Sequence, residues 1–431
     1  MNKELNIAYD ILSKVYLDKS YVSIELNKYL NKLDSSVNSS LVTKIVYGVL
    51  EKDILLEYFV SHYVAKLPEQ KFLILLKIVA YVAKAVNSIP HFALVNEIVT
   101  IAKKLDFHKS GFINAVAKKL VTGDVKLPDK ANYSKYLSVK YNYPEWVVKE
   151  LLKSYSKEFV TDLVSCELTS LTHIRVNLDK ITAKEFKAKL EELDIKFEPS
   201  LYDYTMYVDY AKLLKIDDLK DKYIVQGLPS IITCNVLGAV KGRVLDVCSA
   251  PGGKSVYLAQ NRNLQVYSCD IHKHRVELVD KYAKSTGVKL NTFVQDGTKF
   301  NPLWESKFDY VMCDVPCSNL GVSRKKPDVF LNKTLADAKT LAGIQYQILD
   351  NSARYVKPGG ILQYSTCTIL DFENKNVIEK FLANHKDFEL TEIDFGDINI
   401  TNDKNMYTFY PNLTKTEGFF IGRLRRLWIY Y

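Results

Sequence analysis

Residues 246–255 read DVCSAPGGKS, and this stretch decides the fold of the carboxyl-terminal half of the chain. The apolar run VLDVC (244–248) leads into a turn over residues 251–253, and a helical pattern begins at Lys254. A strand, a glycine turn and a helix in this order are typical of the first unit of a nucleotide-binding parallel sheet. The spacing of the glycines determines which ligand such a turn can hold.

Two common phosphate-binding patterns are excluded by that spacing. The triphosphate loop GxxxxGK[ST] requires a glycine five positions before Gly253, and this position is Cys248. The dinucleotide pattern GxGxxG also fails, because only Gly252 and Gly253 are present. The N–H groups at a helix start bind a carboxylate as well as a phosphate, so the turn suits the carboxylate of an amino acid.

Acidic residues end the next two predicted strands. Asp270 closes LQVYSCD (264–270), and Asp296 closes NTFVQD (291–296). A carboxylate at the end of the second strand suits the hydroxyls of a ribose, and one at the end of the third suits an adenine amino group. Taken singly, each acid is equally consistent with the cap of a turn. As a set with the glycine turn, they favour S-adenosylmethionine.

Two cysteines follow the next strands of the same alternating pattern. Cys317 lies in DVPCSNLGVSRKKPD (314–328), after the predicted strand FDYVMCD, and Cys367 lies in YSTCT. The carboxyl ends of parallel strands meet at one edge of a sheet, so both thiols are expected at the cofactor edge. The other five are interpreted as small buried apolar residues, namely Cys166, Cys234, Cys248, Cys269 and Cys313.

A thiolate beside S-adenosylmethionine suits methylation of a pyrimidine at C5. This carbon becomes nucleophilic when a thiolate adds to C6, and the base must first leave its stack to be reached. Asp314, at the end of the fourth strand, is placed to stabilise the adduct and to select cytosine.

The rest of the chain predicts two further domains. Apolar residues at three- and four-residue spacing indicate a bundle of amphipathic helices at the amino terminus, and strand and helix patterns are mixed around 131–235. We therefore expect a multi-domain protein: an all-α bundle over 1–127, a small α+β module over 128–238 and an α/β Rossmann-like domain over 239–431.

Composition sets weaker limits on function. The 431 residues carry a formal net charge of +9, which is a weak indication of a polyanionic partner. No signal peptide is predicted, and the apolar stretch 72–86, interrupted by Lys77 and Lys84, predicts a buried helix, not a membrane span. Seven cysteines without an export signal favour reduced thiols in the cytoplasm, and their spacing predicts no zinc site.

The motifs DVCSAPGGKS, DVPCSNLGVSRKKPD and YSTCT resemble those of the RNA 5-methylcytosine methyltransferases. Stretches such as VYGVLEKDILLEYFV and HFALVNEIVTIAKK look like a NusB-related helical domain, so the resemblance covers nearly the whole chain and extends to the RsmB/Sun family. It implies a class I S-adenosylmethionine-dependent methyltransferase fold with a NusB-like bundle and an RNA-recognition module. It also implies a monomeric cytoplasmic enzyme without a metal, acting on 16S rRNA, naked or in early 30S assembly. Methylation of tRNA or 23S rRNA, and a non-catalytic RNA-binding role, are the alternatives.

The resemblance also implies roles for individual residues. Cys367 would be the nucleophile, Cys317 would assist product release, and Asp314 would stabilise the base. The cofactor-binding positions would be Cys248, Ser249, Ala250, Pro251, Gly252, Gly253, Lys254, Asp270, Asp296 and Asp314. The RNA-binding positions would be Arg175 and Asn177 in HIRVNLDK, with Arg324, Lys325 and Lys326 in the loop after Cys317 either meeting phosphates or forming a solvated basic loop.

The sequence departs from the family pattern at four positions that bear on RNA contacts. Gly227 stands where an acid is common, and Asn319 stands where glycine is common. Ser323 replaces a usual aliphatic residue, and Lys375 replaces a frequent acid.

Overall fold

The computed structural model describes residues 3–31 and 36–428. By internal contacts the chain divides into two compact units. The first comprises Met1–Ser165 and Ser323–Leu335, and the second comprises Cys166–Val322 and Ala336–Tyr431.

The described part of the first unit is built around helices. Its most buried helix, α5, carries the predicted apolar stretch, and Lys77 within it is 1% exposed. The carboxylates of Asp53 and Glu57 lie 2.5 and 2.8 Å from the Lys77 ammonium, which explains how a lysine is accommodated in this core. The predicted all-α bundle is confirmed. The helices are α1 (Lys3–Leu17), α2 (Val22–Leu30), α3 (Ser39–Glu51), α4 (Asp53–Ser61), α5 (Gln70–Ala85), α6 (His91–Leu105), α7 (Ser110–Thr122), α8 (Tyr133–Tyr141), α9 (Glu145–Ser154) and α10 (Lys157–Ser165).

The division by contacts differs from the three segments expected from the sequence patterns. Helices α8 to α10 fall in the segment 128–238 but belong to the helical unit. Asn142, at the end of α8, accepts a hydrogen bond from the Ile54 N–H at 2.8 Å and donates to the Leu50 carbonyl at 3.2 Å. The segment 323–335 also belongs to this unit, although it follows the Cys317 loop in sequence. Within it, the Asp328 carboxylate accepts from the backbone N–H of Val22 at 3.2 Å.

The second unit begins with a small antiparallel sheet in the order β2-β3-β1-β4. One face is covered by α11, whose Phe186 and Leu190 are fully buried and whose start is fixed by a capping box between Thr182 and Glu185. The elements are β1 (Thr172–Val176), α11 (Ala183–Glu192), β2 (Phe197–Pro199), β3 (Thr205–Val208), α12 (Tyr210–Leu213) and β4 (Tyr223–Val225).

A nine-stranded sheet forms the rest of the second unit. Its path is β11-β12-β13-β9-β8-β5-β6-β7, with β10 paired to β13, and the five strands from β9 to β7 are parallel. This confirms the predicted α/β methyltransferase fold. The last strand, β13, runs antiparallel to β9. The elements are α13 (Leu228–Val236), β5 (Gly242–Asp246), α14 (Gly253–Ala259), β6 (Leu264–Asp270), α15 (Lys273–Thr286), β7 (Asn291–Val294), β8 (Phe308–Asp314), α16 (Leu335–Ala353), β9 (Val356–Thr366), α17 (Lys375–Asn384), β10 (Phe388–Leu390), β11 (Thr401–Asp403), β12 (Met406–Phe409), α18 (Pro411–Thr414) and β13 (Phe419–Arg426).

The strand order places the predicted site residues at one edge of the sheet, the carboxyl ends of the parallel strands. β5 lies between β6 and β8, so the connections leaving β5 and β8 diverge at its carboxyl end, where ligands bind in sheets of this kind. None of the helices within residues 3–31 and 36–428 combines the length and apolar character that a membrane crossing requires.

Candidate active site

Cys317 and Cys367 lie side by side at the carboxyl edge of the parallel strands. Cys317 follows β8, Cys367 follows β9, and their sulfur atoms are 3.2 Å apart. Cys317 is 5% exposed, whereas Cys367 is partly exposed. Hydrogen bonding with Cys367, together with burial, holds the pKa of the Cys317 thiol well above its usual value. Cys367 is therefore the more accessible of the two thiols.

A buried carboxylate ties the two cysteine loops together. Glu373 is fully buried, and it accepts hydrogen bonds from the Ser318 N–H at 2.9 Å and from the Ser318 hydroxyl at 2.5 Å. The Ser318 hydroxyl oxygen in turn lies 2.9 Å from the Thr368 hydroxyl oxygen. Ser318 adjoins Cys317 and Thr368 adjoins Cys367, so this network fixes the separation of the two thiols.

A close backbone approach holds the Cys317 loop from its other end. The Gly321 N–H donates to the Cys367 carbonyl at 3.0 Å, and the Gly418 N–H donates to the Gly321 carbonyl at 2.9 Å. A Cβ atom at Gly321 would lie 2.0 Å from the Gly418 carbonyl oxygen, so a larger residue there requires the backbone to shift. Glycine at both positions allows three chain segments to meet beside the thiols.

An ion pair lies at the ends of the two central strands. The Lys254 ammonium is 2.5 Å from one Asp314 oxygen, and the Ser365 hydroxyl donates to the other at 2.9 Å. Burial acts to lower the pKa of Lys254, but the Asp314 carboxylate outweighs it and raises this pKa. Asp314 keeps 24% of its side chain exposed, so the carboxylate remains open to a ligand at this edge.

The glycine turn is fixed against β6. Gly252 has a φ of +108°, and a Cβ atom there would lie 3.2 Å from the Val279 side chain, so glycine suits both the backbone and the packing. The Ser249 N–H and hydroxyl both donate to the Cys269 carbonyl, at 2.7 and 2.9 Å. The turn therefore lies beside the strand that ends in Asp270.

Asp270 ends β6, as the sequence predicts, whereas β7 ends at Val294 and Asp296 lies two residues beyond it. Asp270 is 3% exposed, and Arg275 joins it to the turn, with one guanidinium nitrogen 3.4 Å from its carboxylate and another donating to the Ala250 carbonyl at 3.1 Å. Hydrogen bonds from Thr298 hold one Asp296 oxygen, at 2.7 and 3.0 Å, and lower the pKa of Asp296.

Asp246 and Cys248 lie behind the turn. Asp246 is 1% exposed and accepts a hydrogen bond from the Ser255 hydroxyl at 2.6 Å. Burial raises the pKa of Asp246 to about 7, against the hydrogen bond from Ser255, which lowers it. Burial also raises the pKa of the Cys248 thiol, which therefore stays protonated.

Arg175 and Asn177 lie inside the protein, at 2% and 4% exposure. The Arg175 guanidinium donates to the side-chain oxygens of Gln226 at 2.8 Å and Gln260 at 2.5 Å, and Gln260 donates to Asn177 at 3.2 Å. Gln226 donates in turn to the Gly253 carbonyl at 3.3 Å. Through these glutamines, both residues connect the small sheet to the glycine turn.

The basic residues after the Cys317 loop are placed differently from one another. Arg324 stacks on the Tyr143 ring, with 4.9 Å between guanidinium carbon and ring centroid, and donates to the Val164 carbonyl. Lys325 and Lys326 are exposed. Arg324 is thus engaged within the helical unit, with its guanidinium on Tyr143 and Val164.

Three residues that build this site were not predicted from the sequence. Glu373 and Arg275 belong to no motif that distinguishes them from ordinary surface charges. Ser318 was quoted only as part of the motif that contains Cys317. The only sequence signal for this network is that Glu373 lies six positions after Cys367, in STCTILDFEN. Its partner Ser318 lies fifty-five positions earlier in the chain. Within residues 3–31 and 36–428, no cluster of three or more His, Cys, Asp or Glu side chains could hold a metal ion.

Comparison with known proteins agrees with the fold. The profile of the family "16S rRNA methyltransferase RsmB/F" matches residues 238–425, and the NusB family profile matches residues 2–122. A curated relative from Bacillus subtilis, "Probable ribosomal RNA small subunit methyltransferase B", is 31% identical and is covered over 98% of both chains.

Two solved structures are similar at lower identity. PH0851 superposes with a TM-score of 0.85 at 22% identity, covering 99% of both chains. NSun6 from Pyrococcus horikoshii, solved with SFG, gives a TM-score of 0.59 at 22% identity, covering 66% of this chain and 99% of its own. At these identities the likeness concerns the fold alone.

The α/β sheet with its glycine turn and acidic strand ends is thus that of a methyltransferase, attached to a NusB-family helical domain. The chain belongs to the RsmB/F family of 16S rRNA methyltransferases.

The approach of the two glycines generates a steric prediction. Gly321→Ala is expected to lower the free energy of unfolding by about 1–3 kcal/mol, because the new methyl group overlaps the Gly418 carbonyl. Gly343→Ala in α16 is the control, since nothing lies within 4 Å of its added Cβ atom. Urea unfolding measures both variants, and equal stability of the two would contradict the packing described.

The buried Asp246 predicts a dependence of stability on pH. Its raised pKa means that the folded state disfavours the ionised carboxylate, so the wild-type protein should lose stability relative to Asp246→Asn as pH rises from about 4 to about 7. Above this range the difference should be constant. Melting temperatures of both proteins between pH 4.5 and 8 measure it, and parallel curves would show that Asp246 titrates normally.

Proposed function

We propose that this protein transfers a methyl group from S-adenosylmethionine to C5 of a cytidine in 16S rRNA, through a covalent adduct between a cysteine and the base. The single observation that carries the proposal is the pair of thiols 3.2 Å apart at the carboxyl edge of a methyltransferase sheet. Membership of the RsmB/F family supports rRNA as the substrate class.

The environment of the thiols supports Cys367 as the nucleophile. The thiolate is the reactive form of cysteine, and Cys317 is buried with a raised pKa, so it is the poorer thiolate of the pair. Cys367 is partly exposed and faces the same edge. In this proposal its sulfur adds to C6 of the cytosine, which makes C5 nucleophilic.

Asp314 is proposed to orient the base. Its carboxylate is held by Lys254 and Ser365 but remains 24% exposed beside the thiols, where it would accept from the exocyclic amine of cytosine. This interaction would distinguish cytosine from uracil, whose carbonyl at the same position cannot donate.

The residues at the glycine turn fit S-adenosylmethionine, which supplies the methyl group when bound. Asp270 would accept from the ribose hydroxyls and Asp296 would lie towards the adenine, while residues 248–254 would hold the methionine end. The support is the Gly252 turn, whose φ of +108° favours glycine, and the buried Asp270 at the end of β6. The similar NSun6 structure contains SFG, an analogue of S-adenosylmethionine.

Cys317 is proposed to act after methyl transfer. Water at this edge takes up the C5 proton, the double bond between C5 and C6 forms again, and the bond from C6 to the Cys367 sulfur breaks with its electron pair returning to sulfur. A second thiol 3.2 Å away is placed to assist this elimination and so to free the RNA. The exposed Lys325 and Lys326 are proposed to contact RNA phosphates.

The proposal predicts different outcomes for the two cysteine variants. Cys367→Ala should lower methyl transfer to a 16S rRNA transcript at least about 1,000-fold, because the nucleophile is lost. Cys317→Ala should retain the attack and accumulate a protein–RNA adduct that resists denaturant. Radiolabelled S-adenosylmethionine measures transfer, digestion to nucleosides with mass spectrometry identifies 5-methylcytidine, and Cys166→Ala is a matched control outside the site.

Full activity of Cys367→Ala would contradict the nucleophile assignment. Transfer to tRNA or 23S rRNA in preference to 16S rRNA would contradict the proposed substrate.

A further inference from the structure

Asn319 lies between the two thiols and contacts both. The Cys367 thiol donates to its side-chain oxygen at 2.8 Å, and the Cys317 sulfur lies 3.6 Å from the same oxygen. Neither contact belongs to the proposed reaction steps. The amide therefore has a role that the proposed chemistry leaves unassigned.

The backbone holds this amide in a defined place. Asn319 has a φ of +61°, a left-handed conformation that asparagine adopts more readily than most residues. Ser318 before it is held by Glu373, and Gly321 after it donates to the Cys367 carbonyl. The side chain is thus fixed from both sides and directed at Cys367.

The contact has a defined direction. An amide oxygen only accepts hydrogen bonds, so the Cys367 thiol is the donor. Glu373 and Tyr364 are titratable groups near Cys317. Lys254 lies at the same edge and is paired with Asp314.

We infer that Asn319 is a positioning residue that holds the Cys367 thiol in place until RNA enters, through the hydrogen bond to its side-chain oxygen. The inference rests on the proposed function for the role of Cys367 as nucleophile. The incoming base must compete with this contact, so the nucleophile is restrained in the free enzyme and released at the moment of use. The restraint also limits reaction of Cys367 with adventitious electrophiles.

Two substitutions at this position test the inference without disturbing the turn. Asn319→Gly removes the oxygen and tolerates the left-handed φ, whereas Asn319→Asp keeps the shape and places a negative charge beside the thiol. The full-length protein is treated with iodoacetamide in the absence of RNA and cofactor, over a range of pH. Mass spectrometry then gives the alkylation of Cys367 relative to Cys166 in the same molecule.

Asn319→Gly should raise this ratio about fivefold near neutral pH, as expected from loss of one hydrogen bond. Asn319→Asp should lower the ratio, because a carboxylate oxygen accepts a hydrogen bond more strongly than an amide oxygen. The control Asn405→Gly, at another left-handed asparagine with φ of +66°, should leave the ratio unchanged.

An unchanged or lower ratio in Asn319→Gly would overturn the inference. A rise in both variants would also overturn it, because a merely loosened loop exposes Cys367 regardless of charge. The measurement involves no methyl transfer, so these outcomes leave the proposed function untouched. Conversely, full activity of Cys367→Ala would remove the proposed function while leaving the alkylation result intact.

Discussion

The arrangement of the site depends on one buried carboxylate. Glu373 accepts from both the backbone and the hydroxyl of Ser318, and that hydroxyl reaches Thr368. Burial raises the pKa of Glu373, while the hydrogen bonds from Ser318 lower it. A buried carboxylate without such donors would cost several kcal/mol, so the loops are held where they can satisfy it. The position of both thiols follows from this requirement.

The parallel sheet places the two cysteine loops next to each other before Glu373 joins them. β8 and β9 are parallel neighbours, with Asp314 directly opposite Ser365. The loops that leave β8 and β9 therefore start side by side. The hydrogen bonds of Glu373 then position the residues next to the two cysteines, Ser318 and Thr368. The same edge continues through the glycine turn to Asp270, so the glycine turn and the two thiols lie along one edge of the same sheet.

The sequence predicted those features that depend on strand order and strand ends. Apolar strands alternating with helices indicated a parallel sheet, and in such a sheet Asp270, Cys317 and Cys367 must lie at one edge. What the sequence could not show is pairing between distant residues of ordinary type. Glu373 and Ser318 are fifty-five positions apart, and neither residue type alone indicates a buried contact.

The small sheet shows a second limit. Mixed strand and helix patterns around 131–235 predicted the α+β module, but such patterns do not reveal what covers a polar side chain. Arg175 and Asn177 are covered by glutamines of the same unit. Similarly, the helices over 133–165 and the segment 323–335 pack with the helical unit because of contacts such as Asn142 with Leu50, which composition does not encode.

The central claim is that Cys367 bonds to the cytosine, and peptide mapping of a trapped complex tests it most directly. A 16S rRNA transcript containing 5-fluorocytidine carries fluorine where a proton must leave, so the adduct should persist in the presence of S-adenosylmethionine. After digestion of protein and RNA, the account predicts a nucleotide linked to the peptide that contains Cys367. A nucleotide linked to the Cys317 peptide, or no covalent peptide at all, would contradict it.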